Sequence, residues 1–309
     1  MVISVVIPVY GCRVALPELH RRLVNTLLKI TNEYEIILVD DCCPQNSWEE
    51  IQKICERDEK VVGLHLSRNF GQIKAITAGL DYSSGDWVVV MDCDLQDRPE
   101  GILDLFNKAQ EGYDVVFARR KDRVDSAITK FCSKVFYKVY DYFAGGTFDN
   151  SICNFSISRR KVIDSYCRMR EQRRAYTLFL KWLGFKQTAI DISADARFEG
   201  KSSYNFRKKI TMAFDFITSQ SVKPLLITTK IGFFISFASM VYIIYLIVMH
   251  ILGRGYTGWT STIASIYFIG GLILSAIGVV GIYVGNIFEE TKGRPIYIVS
   301  EYLNGKEEK

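Results

Sequence analysis

The chain has 309 residues, 49% apolar and 24% charged, with a formal net charge of +5. The 39 basic and 34 acidic residues are unevenly spread, and Ile231–Phe288 holds a single charge, Arg254. That gap excludes one soluble globule, and the ordinary composition of the residues before it excludes a polytopic transporter.

Disorder is excluded as well, since aromatics make up 13% and no low-complexity run occurs. The cysteines at 12, 42, 43, 55, 93, 132, 153 and 167 form no C-x-x-C pair, so no zinc cluster is expected. The amino terminus lacks a basic region, and Val2–Val9 is too short for a signal core. The soluble part is therefore expected in the cytosol with reduced thiols. No H-E-x-x-H and no Walker A pattern is found, which removes zincins and P-loop enzymes.

In chain order, Val2–Val9 is a short β-branched run and reads as a buried strand. Val14–Lys29 has helical spacing through Leu16, Leu19, Leu23 and Leu27. Tyr34–Val39 is a strand ending in Asp40-Asp41, and Ser47–Glu56 is a helix. Val61–Leu66 is a strand, with His65 at a structural position within it, and Ile73–Tyr82 is a helix. Asp86–Met91 is a strand ending in Asp92-Cys93-Asp94, followed by a helix over Glu100–Gln110 and a strand over Tyr113–Ala118. Strands and helices in alternation imply a mostly parallel sheet covered by helices. Such sheets bind ligands beyond the carboxyl ends of their strands, where both acidic pairs fall. Aspartates there also cap helices, but two acidic pairs at one edge point to a site.

Two basic stretches, Arg119–Lys138 and Arg197–Lys230, each hold seven basic and two acidic residues. No nucleic-acid partner is expected from them. Within the second, Ile210, Ala213, Phe214 and Ile217 fall at i, i+3, i+4 and i+7, so a helix is expected on a membrane surface with Arg207, Lys208 and Lys209 near anionic lipid. Two membrane helices are expected at about 231–252 and 259–288. Lys223, Lys230, Lys292 and Arg294 flank them, which places both ends in the cytosol. Gly270, Gly271, Gly278, Gly281 and Gly285 suggest close helix packing and leave a homo-oligomer open.

Asp92 and Asp94 are two apart at a strand end, so period-two alternation puts both carboxylates on one side. Two such groups suit a hard divalent cation, Mg2+ or Mn2+, shared with substrate phosphates.

The run Val5-Val6-Ile7-Pro8-Val9-Tyr10, the strand end Val39-Asp40-Asp41, Ser67-Arg68-Asn69-Phe70-Gly71 and the stretch Asp92–Glu100 resemble glycosyltransferase family 2. Within it the likeness is to membrane-anchored bacterial polyprenyl-phosphate glycosyltransferases related to dolichol-phosphate mannose synthase. The resemblance implies a glycosyltransferase A type fold, Rossmann-like, over residues 1–203. An interfacial helix over 204–222, two membrane helices within 229–288 and a cytosolic tail over 289–309 would follow, in a bacterial inner membrane. It implies that Pro8, Tyr10, Asp40, Asp41 and Asp92 hold the nucleotide of a sugar nucleotide, first a UDP-sugar and otherwise a dTDP- or GDP-sugar. Asp92 and Asp94 would hold the metal, with Gln96 near the sugar or phosphate. Arg119, Lys134, Arg197 and Ser202 would meet the phosphate of the lipid acceptor, polyprenyl (undecaprenyl) phosphate. Arginine at membrane level suits that task, because it grips phosphate through two parallel hydrogen bonds.

The implied reaction is inverting. The lipid phosphate attacks the anomeric carbon, and the nucleoside diphosphate leaves. A phosphate monoester has a second pKa of about 6, so the nucleophile is largely ionised and needs no strong base. That matters because Asn154 stands where relatives carry an acidic residue, with Asp149 nearby as a substitute or a turn residue. Gly11-Cys12 and Cys42-Cys43 also depart from the family pattern. Glu171 and Arg174 read as a site-shaping or an ordinary surface pair. Two rival readings are a processive polysaccharide synthase, whose Gln-x-x-Arg-Trp run is absent, and a non-catalytic nucleotide-binding membrane scaffold.

Overall fold

The computed structural model describes residues 1–120, 152–192, 218, 221–252 and 258–305. Chain contacts divide it into two units. Among the described residues, the first takes in 1–120, 152–192 and 294–305, and the second takes in 218, 221–252 and 258–293.

The first unit is built on one eight-stranded sheet. Its strands are β1 (Ile3–Val9), β2 (Tyr34–Asp40), β3 (Val61–Leu66), β4 (Trp87–Val90), β5 (Val115–Arg120), β6 (Ile152–Arg159), β7 (Gln187–Ile192) and β8 (Val299–Leu303). Their order across the sheet is β7-β5-β6-β4-β1-β2-β3-β8. The pairs β1–β2, β1–β4, β2–β3 and β5–β7 are parallel, as the strand–helix alternation predicts. The pairs β4–β6, β5–β6 and β3–β8 are antiparallel, so the sheet is mixed though mostly parallel.

Every residue of β1 is buried, as a central strand covered on both faces requires. Val5, Ile7 and Val9 pack on one face with α1 (Leu16–Leu27), α2 (Ser47–Arg57) and α4 (Gly101–Gln110). Val6 packs on the other with α3 (Gln72–Tyr82), α5 (Arg160–Arg168) and α6 (Tyr176–Trp182). Helix α3 lies so close to β1 that a Cβ at Gly79 would come within 2.4 Å of Val6 Cγ1. Arg174 is buried rather than half of a surface pair: it donates to the carbonyls of Tyr166 and Met169, and its guanidinium lies 4.5 Å from the Tyr166 ring centroid.

The expectation of reduced thiols is corrected at one pair. Cys12 and Cys93 are joined by a disulfide, with Cα atoms 6.1 Å apart. Adjacent strands β1 and β4 bring the two loops together across 81 residues of sequence, which spacing alone cannot reveal. Cys42, Cys43, Cys55, Cys153 and Cys167 are free.

The second unit contains α7 (Lys223–Ile251) and α8 (Trp259–Thr291). Within them, Lys223–Met249 and Ser265–Thr291 have mean hydropathies of 2.3 and 2.2, and their apolar side chains are exposed. Both are long and apolar enough to cross a membrane. Tyr283 Oη donates to the Ser221 carbonyl at 2.6 Å, and Asn286 Nδ2 to the Thr218 carbonyl at 3.1 Å. Among the described residues, a Cβ at Gly270, Gly271, Gly278, Gly281 or Gly285 of α8 would meet nothing within 4 Å.

Candidate active site

The acidic pairs sit together because β1 lies between β2 and β4 and all three run parallel. Asp40 ends β2 and is the register partner of Val9. Beyond β4 the burial alternates: Met91, Cys93, Leu95 and Asp97 are buried, while Asp92, Asp94 and Gln96 are half-buried. Asp92, Asp94 and Gln96 thus keep access to solvent just beyond the carboxyl end of β4. Leu95, at φ +58°, occupies the left-handed region and turns the chain after Asp94. The Gln96 backbone N–H donates to Asp94 Oδ1 at 3.1 Å, and Gln72 Nε2, at the start of α3, donates to Asp92 Oδ1 at 2.7 Å.

The structure separates Asp40 from Asp41. Asp41 takes the backbone N–H groups of Phe70 and Gly71 at 2.7 and 2.9 Å, so it anchors the Ser67–Gly71 loop. Gly71, at φ +96°, precedes α3 in a conformation that side chains rarely adopt. Asp40 is 1% exposed, and its Oδ2 meets His65 Nδ1 at 2.8 Å and the Cys43 N–H at 3.4 Å. Its Oδ1 is buried with no hydrogen-bond partner among the described residues. Burial raises the pKa of both aspartates above 3.8, opposed at Asp40 by the His65 hydrogen bond and at Asp41 by the two loop N–H groups.

Pro8 is buried one step before the strand end, while Tyr10 is 53% exposed beyond it. Asn154 is brought to the same edge. The antiparallel pairs of β4 and β6 run from Trp87↔Arg159 to Val90↔Ser156. Asn154 lies two residues before Ser156, the partner of Val90 in the last rung, and Asp92 lies two residues after Val90. Arg119 lies near the carboxyl end of β5, which runs parallel to β4 with β6 between them, and its Nε is 3.1 Å from Asp191 Oδ1 on β7. Lys134, Asp149, Arg197 and Ser202 lie outside the described residues. His65, Gln72 and Trp48 were not singled out as site residues from sequence, because nothing in their local spacing points to Asp40 or Asp92.

Among the described residues, no group of three or more His, Cys, Asp or Glu is gathered to hold a metal ion. Two half-buried carboxylates still fit Mg2+ or Mn2+, which are commonly held by one or two carboxylates together with water and substrate phosphates.

Residues 4–167 match the family model described as glycosyl transferase family 2. The chain belongs to this family. Its similarity extends well past that segment. The undecaprenyl-phosphate 4-deoxy-4-formamido-L-arabinose transferase of Proteus mirabilis is 31% identical over 98% of this chain and 94% of its own. The bactoprenol glucosyl transferase of Shigella phage SfX is 33% identical over 97% of this chain and 99% of its own. Among solved structures, glucosyl-3-phosphoglycerate synthase from Mycobacterium tuberculosis, in complex with Mn2+, UDP and phosphoglyceric acid, is 15% identical. It aligns over 70% of this chain and 76% of its own with a TM-score of 0.51. That likeness shows a shared fold of the glycosyltransferase A type.

Proposed function

We propose that this glycosyltransferase moves a sugar from a sugar nucleotide to undecaprenyl phosphate and yields a lipid-linked sugar for modification of cell-envelope glycans. The observation that carries the reading is Asp40 Oδ1, a buried carboxylate oxygen without a partner among the described residues, at the end of β2, with Asp92 and Asp94 beyond β4 at the same carboxyl edge of the sheet. An unsatisfied buried acceptor is costly unless a ligand supplies a donor. The N–H and O–H groups of a nucleoside are such donors. The two relatives named above are sugar transferases whose names carry the same class of lipid carrier, and each aligns along nearly its whole length.

In this mechanism Asp40 receives the nucleoside, with Pro8 and Tyr10 lining the same strand end. Asp92 and Asp94 would hold Mg2+ or Mn2+, which supplies charge neutralisation for the departing diphosphate. Gln96 and Asn154 orient the sugar and its phosphate by hydrogen bonds. The acceptor phosphate is largely ionised at neutral pH, so Asn154, which cannot take a proton, is no obstacle. Arg119, Lys134, Arg197 and Ser202 meet the lipid phosphate. Catalysis rests on positioning and charge stabilisation, and the anomeric configuration inverts.

The protein resides in the bacterial inner membrane as a two-span chain, with the catalytic domain and both termini in the cytosol. The flanking Lys223, Lys230, Lys292 and Arg294 support that orientation. Chain connectivity supports it too: β8 follows α8 yet belongs to the sheet that holds β1, and a return to the same compartment needs an even number of crossings.

The test is incubation of membranes bearing the protein with undecaprenyl phosphate and a panel of UDP-, dTDP- and GDP-sugars. A lipid product heavier by one sugar residue is expected. No adduct with any donor would contradict the reading, and a polymer in its place would favour a processive synthase.

A further inference from the structure

Strand β8 lies beyond both long helices in sequence, yet it forms the edge of the sheet beside β3. Its register sets Gly63 against Leu303, Leu64 against Tyr302 and His65 against Glu301, and shifts between His65 and Leu66. Two contacts fall on His65 at that shift, and a third holds its neighbour Trp48. Ser300 Oγ donates to the His65 carbonyl at 3.0 Å. The His65 ring stacks on Trp48, with centroids 5.0 Å apart and planes at 28°. Trp48 Nε1 in turn donates to Glu301 Oε2 at 3.1 Å. The imidazole is thus stacked on Trp48 of α2, while β8 holds the His65 backbone and the Trp48 indole.

What the braced ring touches is Asp40. His65 and Asp40 are register partners on adjacent parallel strands, and Nδ1 meets Oδ2 at 2.8 Å. An ionised carboxylate only accepts, so this contact selects the Nδ1–H tautomer. With Oδ2 occupied, the carboxylate cannot rotate freely, and Oδ1 is left buried without a partner. A purely structural pair at this buried place is better served by apolar side chains, since an unpaired carboxylate oxygen costs desolvation and returns nothing.

We propose that His65 is a positioning residue for the donor nucleoside. Held by Trp48 and by β8, it fixes Asp40 so that Oδ1 is presented to an N–H or O–H of the nucleoside. The segment after the second long helix therefore forms part of the donor-binding half of the enzyme. The inference rests on the sugar-nucleotide reading given above.

The test uses the full chain in membranes with MnCl2, undecaprenyl phosphate and whichever nucleotide sugar of the panel is turned over. His65→Ala raises the donor KM about tenfold, the loss expected when an orienting hydrogen bond is removed. Its kcat and lipid KM stay within about twofold, because the reacting atoms are untouched. His65→Asn restores most of the donor affinity, since its amide N–H replaces Nδ1–H. The paired change Ser300→Ala, Glu301→Ala raises the donor KM about threefold through loss of the brace. An unchanged donor KM in His65→Ala, or a donor KM that His65→Asn fails to restore while the melting temperature is intact, overturns the proposal. Asp40→Ala separates the two levels: if it loses donor binding while His65→Ala does not, only the role of His65 fails. If Asp40→Ala also keeps its donor affinity, the nucleotide site itself is misplaced.

Discussion

Val90 and Ser156 form the last rung of the antiparallel β4–β6 ladder, and Asp92 and Asn154 lie two residues beyond it on the two chains. An amide there can hold a hydroxyl or a phosphate oxygen but cannot accept a proton. Asn154→Ala is expected to lower kcat/KM about tenfold, the usual effect of losing one orienting hydrogen bond. Asn154→Asp is expected to stay within about threefold, because an acceptor with a second pKa near 6 is already ionised. Steady-state kinetics on the two variants decide the matter. A gain above tenfold in Asn154→Asp would mean that the reaction wants a base at this position.

The buried aspartates make the stability of the sheet unit pH-dependent in a defined direction. Desolvation raises the pKa of Asp40 above 3.8, so the folded chain keeps a proton that the unfolded chain has lost. Stability attributable to this group is therefore present below 3.8 and is lost as pH rises through the raised value. Asp40→Asn removes that cost while an amide oxygen can still accept from His65. At neutral pH the variant should be more stable by about 1 kcal/mol and defective in donor binding. Thermal melts from pH 3 to 8 check this: the gain should shrink towards zero near the acid end.

The disulfide between Cys12 and Cys93 staples the loops after β1 and β4, and both residues are under a tenth exposed. Closing a loop of this length stabilises by about 4 kcal/mol in the chain-entropy account. Cys12→Ser and Cys93→Ser should each lower the melting temperature of the sheet unit by several degrees, and dithiothreitol should do the same to the unmodified chain. A melting temperature indifferent both to reductant and to the two substitutions would contradict a stabilising bond at this pair.

Arg119 is paired with Asp191 at 3.1 Å, and both side chains are about two-fifths exposed. A pair this exposed is worth at most about 1 kcal/mol, so a phosphate can compete for the guanidinium. Arg119→Ala should raise the lipid KM about tenfold and leave the donor KM unchanged. Asp191→Asn should lower the lipid KM or leave it unchanged. A change in donor KM instead would place Arg119 on the nucleotide side.

Much of the scaffold was legible from residue order. The run from β1 to β5 follows from short β-branched segments alternating with apolar residues at helical spacing, and β3 falls on Val61–Leu66 as read. The position of the aspartates at strand ends was legible because Asp40 closes one short β-branched run and Asp92 follows another. Strands β6, β7 and β8 were not legible. β6 is mixed in burial and pairs with strands far away in sequence, and β8 has only partly buried and exposed residues at a sheet edge. The same distance hid the site's supporting contacts. Gln72 reaches Asp92 across 20 residues and His65 reaches Asp40 across 25. Cys12 and Cys93 looked like isolated thiols because only the parallel pairing of β1 with β4 brings them together.

Asp94→Ala tests the central claim most directly. Membranes carrying the full chain or this variant are given undecaprenyl phosphate, MnCl2 and the sugar nucleotide that the full chain uses, and the lipid fraction is read by mass. The account predicts a sugar-bearing lipid phosphate from the unmodified chain and a yield lower by at least about a hundredfold from an inserted, folded Asp94→Ala protein. Equal yields from the two would contradict it.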